Sequence, residues 1–180
     1  SFARLGVAFP TLRERIKTYA EFSVASVDEL FGDALKDAAR VGATTYDHLV
    51  LLNRGARFEP LPLPAVAQRA PAHGVSVADF DGDGREDLFL AQNLFPTEIV
   101  SLRADAGVGL VLLGDGAGGF RPLGVRESGV TVRGDQRGSA VADFDGDARV
   151  DVAVAQNGGA TTLWRNVTGR PGQRVRVAGD

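Results

Sequence analysis

A chain of 180 residues, 44% hydrophobic and 24% charged, is long enough for one well-cored globular domain. Its formal charge of −3 offers no basic face for general nucleic-acid binding, so no nucleic-acid partner is expected. It has no cysteine, hence no disulfide framework or thiolate chemistry, and no apolar run approaching the ~18–20 residues of a transmembrane segment. Methionine is absent even at position 1, so the expectation is a processed chain or a fragment, any signal peptide having lain upstream.

Residues 1–44 read as a helical segment. Thr11-Leu-Arg-Glu14 and Ser26-Val-Asp-Glu29 are capping-box patterns, a hydroxyl at the N-cap with a glutamate three positions on. Leu12, Ile16 and Tyr19 then recur at helical spacing, as do Leu30, Phe31, Ala34, Leu35 and Ala38. Pro10 and the Arg40-Val41-Gly42 exit are the expected boundaries.

From residue 45 to 180 the pattern changes to short strands between glycine-rich turns. HLVLLN (His48–Asn53) matches GLVLLG (Gly109–Gly114), and ARFEPL (Ala56–Leu61) matches GGFRPL (Gly118–Leu123). ADFDGDGREDLFLAQN (Ala78–Asn93) and ADFDGDARVDVAVAQN (Ala142–Asn157) share eleven of sixteen letters. A self-similar period of about 60 residues is the mark of a repeat architecture.

Two units of four strands are expected. The first holds Val75–Phe80, Asp87–Gln92, Gly109–Leu113 and Gly119–Val125; the second holds Ser139–Phe144, Asp151–Gln156, Thr161–Asn166 and Gln173–Val177. LFLA and VAVA are apolar on both faces, as a strand buried between neighbouring sheets requires. Four antiparallel strands per repeat is the sequence form of a β-propeller blade. The expected fold is therefore mainly β: a partial β-propeller of about two and a half four-stranded blades, with the N-terminal helical segment. Residues 45–62 form the partial blade, and 74–125 and 138–178 the two full ones. Closed propellers need roughly four to eight blades, so the remaining blades are expected to be missing. Open blade faces would favour dimerisation or aggregation of this chain.

The aspartates are the chemical signal. Carboxylates crowded four to a loop repel one another unless a cation sits among them. In the first loop, side-chain oxygens fall at positions 1, 3, 5 and 9, namely Asp79, Asp81, Asp83 and Asp87, with the Arg85 carbonyl available at position 7. The second loop repeats this with Asp143, Asp145, Asp147, Arg149 and Asp151. Oxygen-only ligation at irregular angles suits calcium better than magnesium, and no nitrogen or sulfur ligand is offered to zinc or copper. An EF-hand needs a glutamate at position 12, where the two loops carry Leu90 and Val154 inside strands.

D-x-D-x-D-G-x-x-D between strands, with its flanking text, resembles the FG-GAP/VCBS repeats of integrin-α-like β-propellers. With its flanking text it closely resembles bacterial VCBS-repeat and related ASPIC/UnbV-like proteins, over roughly Asp47 to Val177. The resemblance implies one or two Ca2+ ions held by the ten residues just named. The second loop departs from the pattern with Ala148 where the first has Gly84. That position usually takes positive φ, where a Cβ costs on the order of 1 kcal/mol, so weaker binding is expected there.

The expected function is a non-catalytic, calcium-stabilised scaffold or binding module of a secreted or surface bacterial protein, extracellular or periplasmic. The alternative is one part of a larger propeller enzyme acting on extracellular polysaccharide. No nucleophile elbow or phosphate-binding loop is present. His48 and His73 lack spacing partners and read as core or surface residues. Arg133-Gly134-Asp135 reads as turn chemistry rather than an adhesion motif, and Asn166-Val167-Thr168 matters as a sequon only in a eukaryotic secretory path. The long loop from Asn93 to Val108, with Glu98, Arg103 and Asp105, reads first as packed structure. It is also the face on which a protein or carbohydrate partner would be sought.

Overall fold

The computed structural model describes residues 1–95 and 102–167. The chain divides into two compact units, residues 1–45 and 46–180. The expected strand Gln173–Val177 and the candidate ligand residue Glu98 lie outside the described residues.

The first unit holds four short helices, α1 (Phe2–Ala8), α2 (Leu12–Arg15), α3 (Tyr19–Val24) and α4 (Val27–Phe31). The capping box at Ser26 forms: its hydroxyl accepts from the Glu29 N–H, and the Glu29 carboxylate accepts from the Ser26 N–H at 2.7 Å. The box expected at Thr11 does not form; Thr11 has helical dihedrals and makes no side-chain cap. The working cap is Thr18, paired reciprocally with Glu21. An N-cap must be extended, so α2 ends before Thr18 and the continuous run from Leu12 to Tyr19 is broken. The second run is also cut short: α4 ends at Gly32, at φ +52, before a single 3-10 turn. Leu12 and Leu30 are buried in this unit, and Phe2 packs on Tyr19 and Phe22 with ring centroids 5.2 and 5.1 Å away.

The second unit is mainly β, with three antiparallel sheets of two, four and three strands among the described residues. The first pairs β1 (Leu49–Asn53) with β2 (Phe58–Pro62). The second runs in sequence order through β3 (Ala72–Ala78), β4 (Asp87–Gln92), β5 (Leu110–Gly114) and β6 (Phe120–Pro122). The third runs β7 (Asp135–Ala142), β8 (Asp151–Asn157) and β9 (Thr162–Trp164). Antiparallel neighbours in sequence order need no crossover connection. No closed barrel or propeller forms among the described residues.

β4 is the centre of the packing. Phe89 and Ala91 enter one apolar cluster with Val111, Val130, Val132, Val152 and Val154, while Leu90 enters another with Leu63, Ala67, Leu110 and Leu112. Strand alternation thus buries LFLA on both faces, each large side chain contributing about 1.5–3 kcal/mol. For VAVA the expectation needs correction. Val152 and Val154 are buried against the second sheet, but Ala153 is only half-buried, Ala155 is exposed and Leu163 is 58% exposed. Among the described residues no further sheet covers that face.

Several strand limits move as well. β3 and β7 stop at Ala78 and Ala142, before the first aspartate of each loop, because those carboxylates bind loop N–H groups instead of continuing the ladder. The expected strand Gly119–Val125 shortens to β6, and a one-turn helix, α5 (Val125–Ser128), leads back toward β7. β7 begins at Asp135, four residues earlier than the alternation suggests. The second and third sheets meet where β3 runs beside β7: the Ser76 and Ser139 hydroxyls lie 2.7 Å apart. A Cβ on Gly74 would sit 3.0 Å from the Gly138 Cα, so this close approach needs glycine.

Candidate metal centre

Each acidic loop joins the first two strands of its sheet. The register pairs Ala78 with Asp87 and Ala142 with Asp151, so position 9 closes the loop opposite the last residue of the preceding strand. Asp79 organises the turn: one carboxylate oxygen accepts from the Gly82 and Asp83 N–H groups at 2.7 and 3.0 Å, the other from the Gly84 N–H at 2.8 Å. Asp143 does the same for Gly146, Asp147 and Ala148 at 2.7, 3.0 and 3.0 Å. These are Asx-type turns, in which a short carboxylate substitutes for a backbone acceptor.

The position-6 expectation is met in both loops: Gly84 has φ +85 and Ala148 has φ +67. Ala148 therefore pays a left-handed conformation that Gly84 adopts freely.

Asp87 is fully buried and ties three pieces of backbone together. Its Oδ2 accepts from the Phe80 N–H and its Oδ1 from the Gly114 N–H at the end of β5, both at 2.8 Å. Asp151, 1% exposed, accepts likewise from Phe144 and from Asn166, at 2.9 and 2.8 Å. Burial pushes the Asp87 carboxyl above its ordinary pKa. The two backbone N–H donors oppose that rise, and the charges of Asp81 and Asp79 add to it.

Asp79, Asp81 and Asp87 bring carboxylate oxygens within 4.8 Å of one another, as do Asp143, Asp145 and Asp151. Oxygens on opposite sides of one calcium, each at 2.3–2.6 Å, would be about 5 Å apart, so each triad could hold a single metal ion. The donor set is oxygen alone, and the crowding and burial at Asp87 would be relieved by a cation. The residues fit the group.

The position-5 aspartates stand apart from these triads. Asp83 forms an ion pair with Arg85 and accepts from the Arg85 N–H at 2.8 Å. Asp147 pairs with Arg149 at 2.8 Å, and the Arg149 backbone N–H and guanidinium hold its carboxyl below the usual range. The Arg85 side chain also donates to the Gly114 carbonyl at 3.2 Å. Beside the loops, a cleft of about 280 Å³ opens between the second and third sheets, lined by Phe80, Asp81, Val111, Leu113, Val152 and Trp164.

At the other end of the sheets, Arg103 pairs with Asp105 at 2.9 Å, its guanidinium carbon 3.6 Å from the Phe95 ring centroid. Asn93 is fully buried at φ +91 and holds this loop in place. Its amide donates to the Gly107 and Gly134 carbonyls at 2.8 and 3.0 Å and accepts from the Gly107 N–H at 2.8 Å. The repeated Ala-Gln-Asn at the end of each copy was the available signal for it.

Asp135 of the Arg-Gly-Asp tripeptide is 1% exposed and is held by Arg137 at 2.8 Å and Asn157 at 3.1 Å, so its carboxylate is not displayed for adhesion. Those two bonds keep its pKa below the ordinary value although burial pushes it up. The Asn166 amide donates to the Phe80 carbonyl at 2.7 Å. His48 is held by backbone: its Nδ1 lies 3.0 Å from the Ala67 carbonyl oxygen and its Nε2 accepts from the Ala72 N–H at 3.3 Å. His73 lies 3.1 Å from an Arg137 guanidinium nitrogen.

Compared with known families and with curated proteins, the chain matches no family model and no curated protein.

Proposed function

We propose that this chain is a calcium-binding β-propeller repeat module with a non-catalytic scaffold or binding role, belonging to a protein of the cell surface, periplasm or extracellular space. The observation that carries the reading is the duplicated triad. Two loops, 64 residues apart in sequence, fold the same way and each gathers three carboxylates into a space the size of one cation shell. The ligands proposed for the first loop are Asp79, Asp81 and Asp87, with Asp83 and the Arg85 carbonyl as further oxygens. The second loop takes the corresponding set, Asp143, Asp145, Asp147, Arg149 and Asp151.

The role of the ion follows from position. Each loop joins two strands; through Asp87 the first also reaches the end of β5, and through Asp151 the second reaches Asn166, just beyond β9. A cation that binds only the folded loop adds its binding free energy to folding. Extracellular calcium modules bind at about 10⁻⁴–10⁻³ M, which suits calcium outside cells and not in cytosol. The sheets, with β4 buried on both faces, are read as successive blades. Calorimetric titration of the full chain with calcium tests the reading: saturable heat, lost when Asp81 and Asp145 are both replaced by alanine, is expected, and no heat from the unaltered chain would sink it.

A further inference from the structure

The two loops are not electrostatically equal. Val152 pairs with Trp164 as Leu88 pairs with Leu112, and the Asn166 N–H meets Asp151 as the Gly114 N–H meets Asp87. Arg165 therefore stands where the first repeat has Leu113. Its Nε forms an ion pair with Asp145 Oδ2 at 3.2 Å, and Asp145 is one of the three carboxylates of the second triad. The counterpart Asp81 has no ion pair among the described residues; its Oδ1 accepts only the Asp83 N–H, at 3.2 Å. The loops differ again one residue before the closing aspartate, where Glu86 in the first becomes Val150 in the second. The first loop carries an extra negative charge, and the second an extra positive one.

We propose that Arg165 is a built-in counter-cation of the second loop, setting its divalent-cation affinity below that of the first. The inference rests on the metal-binding reading above. With no ion bound, the guanidinium offsets part of the repulsion among the carboxylates. Were a divalent ion to bind through Asp145 Oδ2, 3.2 Å from the Arg165 Nε, the guanidinium would stand roughly 6 Å from that ion and repel it. In a water-like dielectric this repulsion corresponds to about a tenfold loss of affinity, falling to about threefold once 0.1 M salt screens it. The side chain is 63% exposed, so water-like screening is the appropriate regime.

The test uses the full chain carrying Asp81→Ala, so that the second loop alone reports. Calcium is titrated calorimetrically, and terbium luminescence is sensitised through Trp164, the chain's one tryptophan, in the strand adjoining Arg165. Arg165→Leu and Arg165→Gln are expected to bind calcium about three- to tenfold more tightly, Arg165→Lys to bind as the parent does, and the gain to shrink in 0.5 M salt. A neutral variant that folds, by circular dichroism, yet binds calcium no more tightly than its Asp81→Ala parent would overturn the inference while leaving the calcium-binding reading intact. So would an Arg165→Lys gain equal to that of Arg165→Gln. Failure of the unaltered chain to bind calcium at either loop would overturn this inference together with the function it rests on.

Discussion

Gly114 donates its backbone N–H to the Oδ1 of Asp87, 27 residues earlier, at 2.8 Å, while the other oxygen of the same carboxylate holds the Phe80 N–H. One buried side chain thereby fixes the acidic loop to the end of β5. Replacing it removes two hydrogen bonds at a buried site, whatever happens to a metal. Asp87→Ala is expected to lose about 2–4 kcal/mol of stability in urea unfolding even with chelator present. A loss seen only with calcium would mean that Asp87 acts solely as a metal ligand.

The left-handed residue at position 6 gives a paired prediction. Ala148→Gly relieves a Cβ at φ +67 and is expected to stabilise the chain by roughly 0.5–1 kcal/mol, partly offset by the added freedom of glycine in the unfolded state. Gly84→Ala, at φ +85, is expected to destabilise by about 1 kcal/mol. Calcium affinity of the altered loop should move in the same sense, read by calorimetry. Opposite signs would contradict the loop geometry.

The helical unit has its own pH dependence. Backbone N–H donors at Lys17 and Thr18 hold the Glu21 carboxyl below its ordinary pKa, and the backbone N–H and hydroxyl of Ser26 do the same for Glu29. A depressed folded-state pKa means that the stabilisation is fully present above the unfolded glutamate value of about 4.3 and is lost as pH falls through the lower folded value. Helical circular dichroism of the full chain should therefore decline below pH ~4.3. The double variant Glu21→Gln, Glu29→Gln should flatten that decline. An unchanged acid limb in the double variant would remove these boxes as its cause.

The contact between the second and third sheets is steric as much as apolar. Gly74→Val would force a side chain against the Gly138 backbone, where even a Cβ has only 3.0 Å. A destabilisation of about 2–3 kcal/mol in urea unfolding is expected, within the usual range for overpacking. Tolerance of valine there would mean that the strands are farther apart in solution.

Much of the β unit could be read from the letters because its signals are local and repeated. The runs HLVLLN, LFLA, GLVLLG and VAVA all became strands, and the aspartate spacing marked both turns. Burial was less legible. LFLA and VAVA look alike, yet only the first is covered on both sides, since cover depends on which sheets surround a strand and not on the strand itself. The helical segment misled for a different reason. A helix started at Thr11 and carried to Tyr19 would have to pass through Thr18, whose extended N-cap backbone excludes it. In the candidate metal centre, position numbering grouped four aspartates as equals. The flanking arginines draw Asp83 and Asp147 aside, and only the fold brings Arg165 onto Asp145.

Calcium held in the acidic loops is proposed to stabilise the fold. Thermal unfolding of the chain with calcium titrated against a chelator, alongside Asp81→Ala and Asp145→Ala, tests it most directly. The account predicts a midpoint that rises with calcium, a large part of that rise lost in Asp81→Ala and a smaller part in Asp145→Ala. A midpoint indifferent to calcium in all three chains would contradict it and leave the aspartates as hydrogen-bonded turns.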